Sequence, residues 1–205
     1  MAKKEVAAIV SGAGWIADFT VQLVANLKAR GCTAEEIHSL VTTDAKPAID
    51  KIADEVASFI GRIKNIFRVV VDCGQTLAQM IAAGKYNRVN SDITNANFPI
   101  IGSGKKNVAV ELVHFNRSIE SNEAIRELDR MGMRPATIEE LLAFGAKYPE
   151  VQREFPILAL GSVWRDRNSR RRIPCLSGDG SRRYLFLDWI EDGWDGLYRF
   201  AAVRK

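Results

Sequence analysis

The side chains able to do chemistry are concentrated near the C-terminus. Arg165, Arg167, Arg170, Arg171 and Arg172 fall in one short stretch, interleaved with Asp166, Asn168 and Ser169. Guanidinium groups at this density can grip phosphate. Asp188, Glu191, Asp192 and Asp195 lie among Trp189, Trp194 and Tyr198. Carboxylates of this kind hold Ca²⁺ when the spacing is right, but these do not follow an EF-hand loop. The chain has two histidines, His38 and His114, and neither sits in a metal-ligand or nucleophile–base pattern. Cys32, Cys73 and Cys175 are widely spaced and odd in number, giving neither a disulfide framework nor a zinc motif. Cys175 follows Pro174 with no cysteine nearby and reads as an ordinary side chain. Walker loops, Gly-rich dinucleotide turns and His-Glu-x-x-His runs are absent from the sequence. The expectation is a protein without catalytic residues, cofactor or metal.

Strand alternation sorts the remaining candidates. In Tyr184-Leu185-Phe186-Leu187-Asp188-Trp189-Ile190, the residues Leu185, Leu187 and Trp189 share one face. Tyr184, Phe186, Asp188 and Ile190 share the other. The first set is uniformly apolar and suits a core. The second mixes two aromatics, a carboxylate and an aliphatic, and a core seldom accepts an unpaired Asp because burying its charge is costly. The mixed face is expected to be exposed, where aromatics beside charge make binding surfaces. The alternative is a sheet covered on both sides, with Asp188 paired to an arginine.

The elements that must position these residues follow from periodicity and turn signals. From Val6, apolar residues including Ile9, Val10, Ile16, Phe19, Leu23 and Leu27 recur at helical spacing, with Gly31 as a stop. Thr33-Ala34-Glu35-Glu36 has the capping-box pattern and opens a short helix to about Val41. Pro47 suits the first turn of a third helix, striped by Ile49, Ile52, Val56, Phe59, Ile60, Ile63, Ile66 and Phe67. Val69-Val70-Val71 continues that helix or forms a short strand. Gln75 to Ala83 reads as helix. The Asn- and Asp-rich segment from Tyr86 to Pro99 reads as a connector, placing a boundary near it: a helical region 1–98, then a domain 99–205. Beyond it come a strand Asn107–Phe115, a helix capped by Ser121 and a second capping box at Thr137-Ile138-Glu139-Glu140. A buried strand Ile157–Trp164 follows, and then antiparallel strands at Arg172–Pro174, Tyr184–Trp189 and Tyr198–Val203. Helices packed on such a sheet make an α+β domain.

Composition agrees with folded domains and divides informatively. The 205 residues are 47% hydrophobic and 26% charged, outside the disordered regime. Every long apolar stretch is broken by charge, so no transmembrane segment is expected, and the N-terminus does not read as a signal peptide. A cytoplasmic location is the default expectation, with the cell surface or a phage particle left open. Residues 1–159 hold 19 basic and 19 acidic side chains, so the whole net charge of +4 arises after Ala159. The helical stripes suit a bundle packing its own core, or self-association through the N-terminal helices.

The residues Ala159-Leu160-Gly161-Ser162-Val163-Trp164, Arg172-Ile173-Pro174, Leu185-x-Leu187-x-Trp189, Trp194 and Tyr198-Arg199-Phe200-Ala201-Ala202-Val203-Arg204-Lys205 together resemble the variable proteins of diversity-generating retroelements. Those proteins display adenine-directed variation on a C-type lectin fold, usually of the formylglycine-generating-enzyme branch. The resemblance spans about residues 107–205 and is strongest at the end. It implies a scaffold of Trp164, Ile173, Pro174, Leu185, Leu187, Trp189, Trp194, Tyr198 and Phe200. It implies a variable region of about 164–205 with a ligand-facing set of Arg167, Ser169, Arg171, Cys175, Ser177, Asp179, Tyr184, Phe186, Asp188, Ile190, Glu191, Asp195 and Leu197. The Glu-Pro-Asn and Trp-Asn-Asp motifs of sugar-binding lectins are absent, as is the enzyme's cysteine pair. Neither calcium-dependent sugar binding nor oxidation chemistry is therefore expected. The function implied is non-enzymatic recognition of a macromolecular ligand, a protein. The alternative is nucleic-acid binding through Arg165–Arg172, against which stands the nearby acidic loop.

Overall fold

The computed structural model describes residues 13–40, 45–63 and 65–205. The chain divides into two compact units, Met1–Ala57 and Ser58–Lys205, so the division falls well before the expected boundary near residue 98. In the first unit lie α1 (Ala13–Ala29), α2 (Ala34–Ser39) and most of α3 (Lys46–Ile63). The expected helical positions Val6, Ile9, Val10 and Val41 lie outside the described residues. The capping box at α2 forms as expected, with Glu36 N donating to Thr33 Oγ1 at 3.2 Å and Thr33 N to Glu36 Oε2 at 2.8 Å. None of the side chains described in this unit is buried. Phe19, Val21, Ile49 and Val56 are exposed. No helix among the described residues is long and apolar enough to cross a membrane.

The second unit is built on a nine-stranded sheet. Its strands are β1 (Ile66–Asp72), β2 (Arg88–Val89), β3 (Lys105–Val113), β4 (Met133–Pro135), β5 (Ile157–Leu158), β6 (Trp164–Arg165), β7 (Arg171–Asp179), β8 (Arg182–Trp189) and β9 (Arg199–Arg204). The order is β1-β3-β9-β5-β7-β8-β2, with β4 also on β9 and β6 also on β7. Ile66 and Phe67 therefore open a strand and do not extend the third helix. Phe67, Val69 and Val71 point inward on alternate positions, the pattern their β-branched neighbourhood favours. The connector from Tyr86 is also part of the sheet, since β2 runs parallel along β8. The stretch expected as one strand, Ile157–Trp164, is divided between β5 and β6. β5 runs parallel to β9, so the sheet is mixed where the pattern suggested antiparallel pairing alone.

Each face of the sheet carries its own apolar cluster. On one side α4 (Leu77–Gly84) and α6 (Ile138–Lys147) contribute Leu77, Met80, Leu141, Leu142 and Phe144 against Phe67, Val110, Leu176, Leu185 and Leu187. On the other side α5 (Ser121–Arg130) contributes Ala124 and Leu128 against Ile173, Phe200 and Ala202, with Trp194 and Ile190 from the loop after β8. Thr76 and Gln79 form a capping box at α4 that the sequence reading did not single out. At α6, Thr137 N donates to Glu140 Oε2 at 2.9 Å, and Ile138 N donates to Ser162 Oγ at 2.9 Å.

Two buried polar contacts fix the C-terminal strands. Ser121 was expected as the cap of α5, but it is the helix's first residue and the cap position is Glu120. Its hydroxyl donates to the Ile190 carbonyl at 2.6 Å and accepts from Trp194 Nε1 at 2.7 Å. The reason is burial. Trp194 is 2% exposed, and an indole N–H taken out of water must find an acceptor. At the other end Arg183, 5% exposed, donates to the carbonyls of Gly84 and Gly145 and to Gln152 Oε1 at 2.9 Å. Its guanidinium also lies 5.0 Å from the Tyr86 ring centroid. Gly84 and Gly145 are required here because a Cβ at either would collide with the Tyr86 ring.

Arg183→Met is expected to strand three acceptors in the core and cost roughly 3 kcal/mol of the sheet unit's stability. Urea unfolding followed by circular dichroism checks it. A loss below about 0.5 kcal/mol would show that solvent reaches these acceptors.

Candidate binding surface

The β7–β8 hairpin positions most of the residues singled out by sequence. Its register pairs Arg172 with Trp189, Pro174 with Leu187, Leu176 with Leu185 and Gly178 with Arg183. These residues share one face. The opposite face holds the pairs Ile173–Asp188, Cys175–Phe186, Ser177–Tyr184 and Asp179–Arg182. Leu185 and Leu187 are buried as expected, and Tyr184, Phe186 and Asp188 are half-buried. Alternation thus brings Cys175, Ser177, Asp179, Tyr184, Phe186 and Asp188 to one side, but cover over that side is uneven.

Toward the hairpin tip the face is open and aromatic. The Tyr184 and Phe186 rings stack with centroids 5.2 Å apart and planes 9° apart. The Arg88 guanidinium, brought in by β2, lies 5.8 Å from the Phe186 centroid. Tyr184 Oη donates to Asp179 Oδ2 at 2.7 Å, and Arg182 pairs with the same carboxylate at 3.2 Å. The bond from Tyr184 holds the Asp179 carboxyl below its usual range, helped by Arg182, and the Tyr184 hydroxyl is pushed up in return. This shelf is a flat aromatic surface beside paired charges, the mixture that interfaces favour.

Nearer the centre of the sheet the same face turns into core. Cys175 is 2% exposed and Ile190 5% exposed, packed with Trp194 and Ile173. Neither is available to a ligand, which corrects the expectation for both. The corrected feature is the reach of α5 and the 190–198 loop over this half of the face, which alternation within one strand does not reveal. Asp188 sits at the border. Partial burial raises its pKa, and Asp192 adds to the rise, against a hydrogen bond from Cys175 and the charge of Arg172. Burial, reinforced by Asp188, drives the Cys175 thiol well above its normal value. Tyr198 is pushed up to about 12 by burial and then by Asp188.

The Arg165–Arg172 loop forms a separate surface. Asp166 Oδ1 accepts from the amides of Asn168 at 2.8 Å and Arg170 at 3.0 Å, while Oδ2 lies 3.4 Å from Arg170 Nε and 3.6 Å from Arg172 Nε. Desolvation pushes its carboxyl up, but these amides and guanidiniums outweigh it and hold the group below its ordinary value. Ser169 adopts a left-handed conformation (φ 63) to close the turn. Trp189 was expected in the scaffold core, yet it is half-exposed, with Arg170 Cζ 3.9 Å and Arg172 Cζ 3.7 Å from its ring centroid. Arg171 leaves the other face and pairs with Glu191 at 2.8 Å, which keeps that carboxyl low.

The remaining positions are dispersed. Arg167, Glu191, Asp195 and Leu197 are exposed, Leu197 at 67%. Trp164, Pro174, Trp194, Tyr198 and Phe200 are buried or half-buried, as a scaffold requires. A ring nitrogen of His114, Nε2, lies 2.7 Å from the Gly196 carbonyl and ties β3 to the 190–198 loop. Among the described residues, no three His, Cys, Asp or Glu side chains are grouped to hold a metal ion. Sequence reading missed Arg183, although alternation places this charge on the Leu185 row, a signal that it needed buried acceptors. It also missed Arg88, whose arrival beside Phe186 depends on a parallel pairing with no local signature.

Asp188→Asn keeps the size and shape of the side chain but removes the charge. Because the folded-state pKa of Asp188 is raised, its stabilising contribution is full below the unfolded value and is lost as pH rises through the folded one. The variant is expected to melt above the wild type near pH 7, with the gap closing toward about pH 4. Identical melting differences at both pH values would show a fully solvated carboxylate. No protein-family model, curated protein or solved structure matches this chain, so its surface is read from its own geometry.

Proposed function

We propose that the protein recognises a macromolecular ligand, a protein, without catalysis, and that its second unit is a C-type lectin-like scaffold diversified by a retroelement across residues of about 164–205. The single observation that supports this most is the division of labour in β8. Leu185 and Leu187 are buried between sheet and helices, while Tyr184 and Phe186, one step out of phase, form a half-exposed stacked shelf. Substitution on the shelf leaves the apolar row beneath it intact. Without Cys175 and Ile190 the ligand-facing set is Ser177, Asp179, Tyr184, Phe186 and the border residue Asp188, with the loop positions Arg167, Ser169, Arg171, Glu191, Asp195 and Leu197.

Nucleic-acid binding through the arginine loop is the weaker reading. Arg170 and Arg172 share Asp166, and Arg171 is paired with Glu191, so no continuous positive track is left for a phosphate backbone.

A display library randomised at Ser177, Asp179, Tyr184, Phe186, Glu191 and Leu197 tests the reading. Most members are expected to melt within about 5 °C of the parent, and selection against a probe protein such as lysozyme should yield binders. Leu185→Ala and Leu187→Ala should each cost about 2–5 kcal/mol. General loss of folding across the library would sink the proposal. Sequencing around the coding locus checks the retroelement component, which requires a reverse-transcriptase gene and a near-copy of the final coding stretch differing at adenines.

A further inference from the structure

A groove of about 710 Å³ opens on the side of the hairpin opposite the Tyr184–Phe186 shelf. Arg165, Arg167, Arg170 and Arg172 line it together with Trp164 and Asp92. We infer that this groove is a binding site for the phosphate group of a small phosphorylated ligand. The inference goes beyond the recognition role proposed above and does not rest on it: the two share the loop position Arg167, but Arg172 and Trp189 leave the other face of β7 and β8.

The donors of this groove are preorganised. Asp166 spends both oxygens on the loop backbone and on the Nε side of Arg170 and Arg172. An aspartate is ionised at neutral pH, and the amides and guanidiniums around this one favour that form, so the brace persists. The Trp189 ring lies against the same two guanidiniums, and such contacts limit the freedom an arginine must lose on binding. Arg172 Nε is buried with Asp166 Oδ2 3.6 Å away, so this guanidinium is held in the groove wall by the carboxylate and the Trp189 ring. Arg167 makes no ion pair among the described residues, and Arg165 reaches only the Ser169 carbonyl at 3.4 Å. Two exposed guanidiniums without an ion pair among the described residues thus stand beside two braced ones, in a concavity of ligand size.

The short range of this field selects the ligand. Asp92 closes one side of the groove, and Trp189 with Arg170 borders Glu191 and Asp192 on another. Asp166 also lines the groove, but Arg170 and Arg172 take up its charge, so a compact phosphate is left the exposed Arg165 and Arg167. An extended polyanion would run into Asp92, Glu191 and Asp192. Trp189 already carries arginine on its ring, so it is poorly placed to stack a splayed base as single-strand binders do.

Titration of the full chain with sodium pyrophosphate, followed by calorimetry and tryptophan fluorescence, tests the site. One saturable site is expected, with a change in indole emission. The double variant Arg165→Gln/Arg167→Gln, at exposed positions whose loss should not unfold the chain, is expected to weaken binding by about tenfold or more. Arg68→Gln, an exposed arginine on β1, should leave it unchanged. Absence of saturable binding, or equal losses in the two variants, would overturn the inference. So would an oligothymidylate that binds more tightly than pyrophosphate with a steep salt dependence, which would make the loop a nucleic-acid surface. None of these outcomes depends on whether the shelf library folds or selects binders.

Discussion

A guanidinium held inside the sheet unit is the constraint around which the C-terminal hairpin is arranged. Arg183 sits on the same row as Leu185 and Leu187, and a charge there is tolerable only if it finds acceptors; both of its Nη groups do, while Nε is buried without one. The carbonyls at the end of α4 and within α6, with Gln152 from the 3₁₀ turn Val151–Arg153, supply the acceptors. Gln152 in turn donates to the Ser177 and Tyr184 carbonyls, at 2.6 and 3.1 Å, across the two strands of the hairpin. The tip of the hairpin is thus fastened from below. The stacked rings of Tyr184 and Phe186 are displayed above a backbone that has little freedom to adapt.

The opposite end of the hairpin is secured differently. Trp194, Ser121 and the Ile190 carbonyl form a buried chain of hydrogen bonds, and the Ile119–Trp194 bridge adds two backbone bonds of 2.9 Å each. This junction brings the 190–198 loop over Ile173 and Cys175. It is the reason that half of the outward face becomes core while the other half stays open. The border falls at Asp188, whose carboxyl feels both environments and whose pKa rises accordingly.

Charge is also partitioned between the surfaces. On the shelf Asp179 is shared by Tyr184 and Arg182, so acid and base are matched. On the arginine loop one aspartate braces two arginines and two others remain unpaired. The net +4 of the chain resides in its final residues, but the structure shows that it is localised within them and does not spread into a uniform field.

Several features were legible from the residues alone, because they depend on neighbours in sequence. The capping box at Thr33, the burial of Leu185 and Leu187, the α+β character of the later chain and the common face of Tyr184 and Phe186 all follow from local spacing. Other features were decided by pairings far apart in sequence. Ile66–Asp72 became an edge strand because β3 lay ready to receive it, while the same β-branched run could have prolonged a helix. Cys175 and Ile190 left the candidate ligand surface because α5 and the C-terminal loop cover that half of their face, and Trp189 left the core because on the opposite face its ring meets the guanidiniums of Arg170 and Arg172. A strand's own alternation tells which residues share a side. What covers that side is settled only by the elements packed against it, since burial is a property of the assembled neighbours and not of the strand.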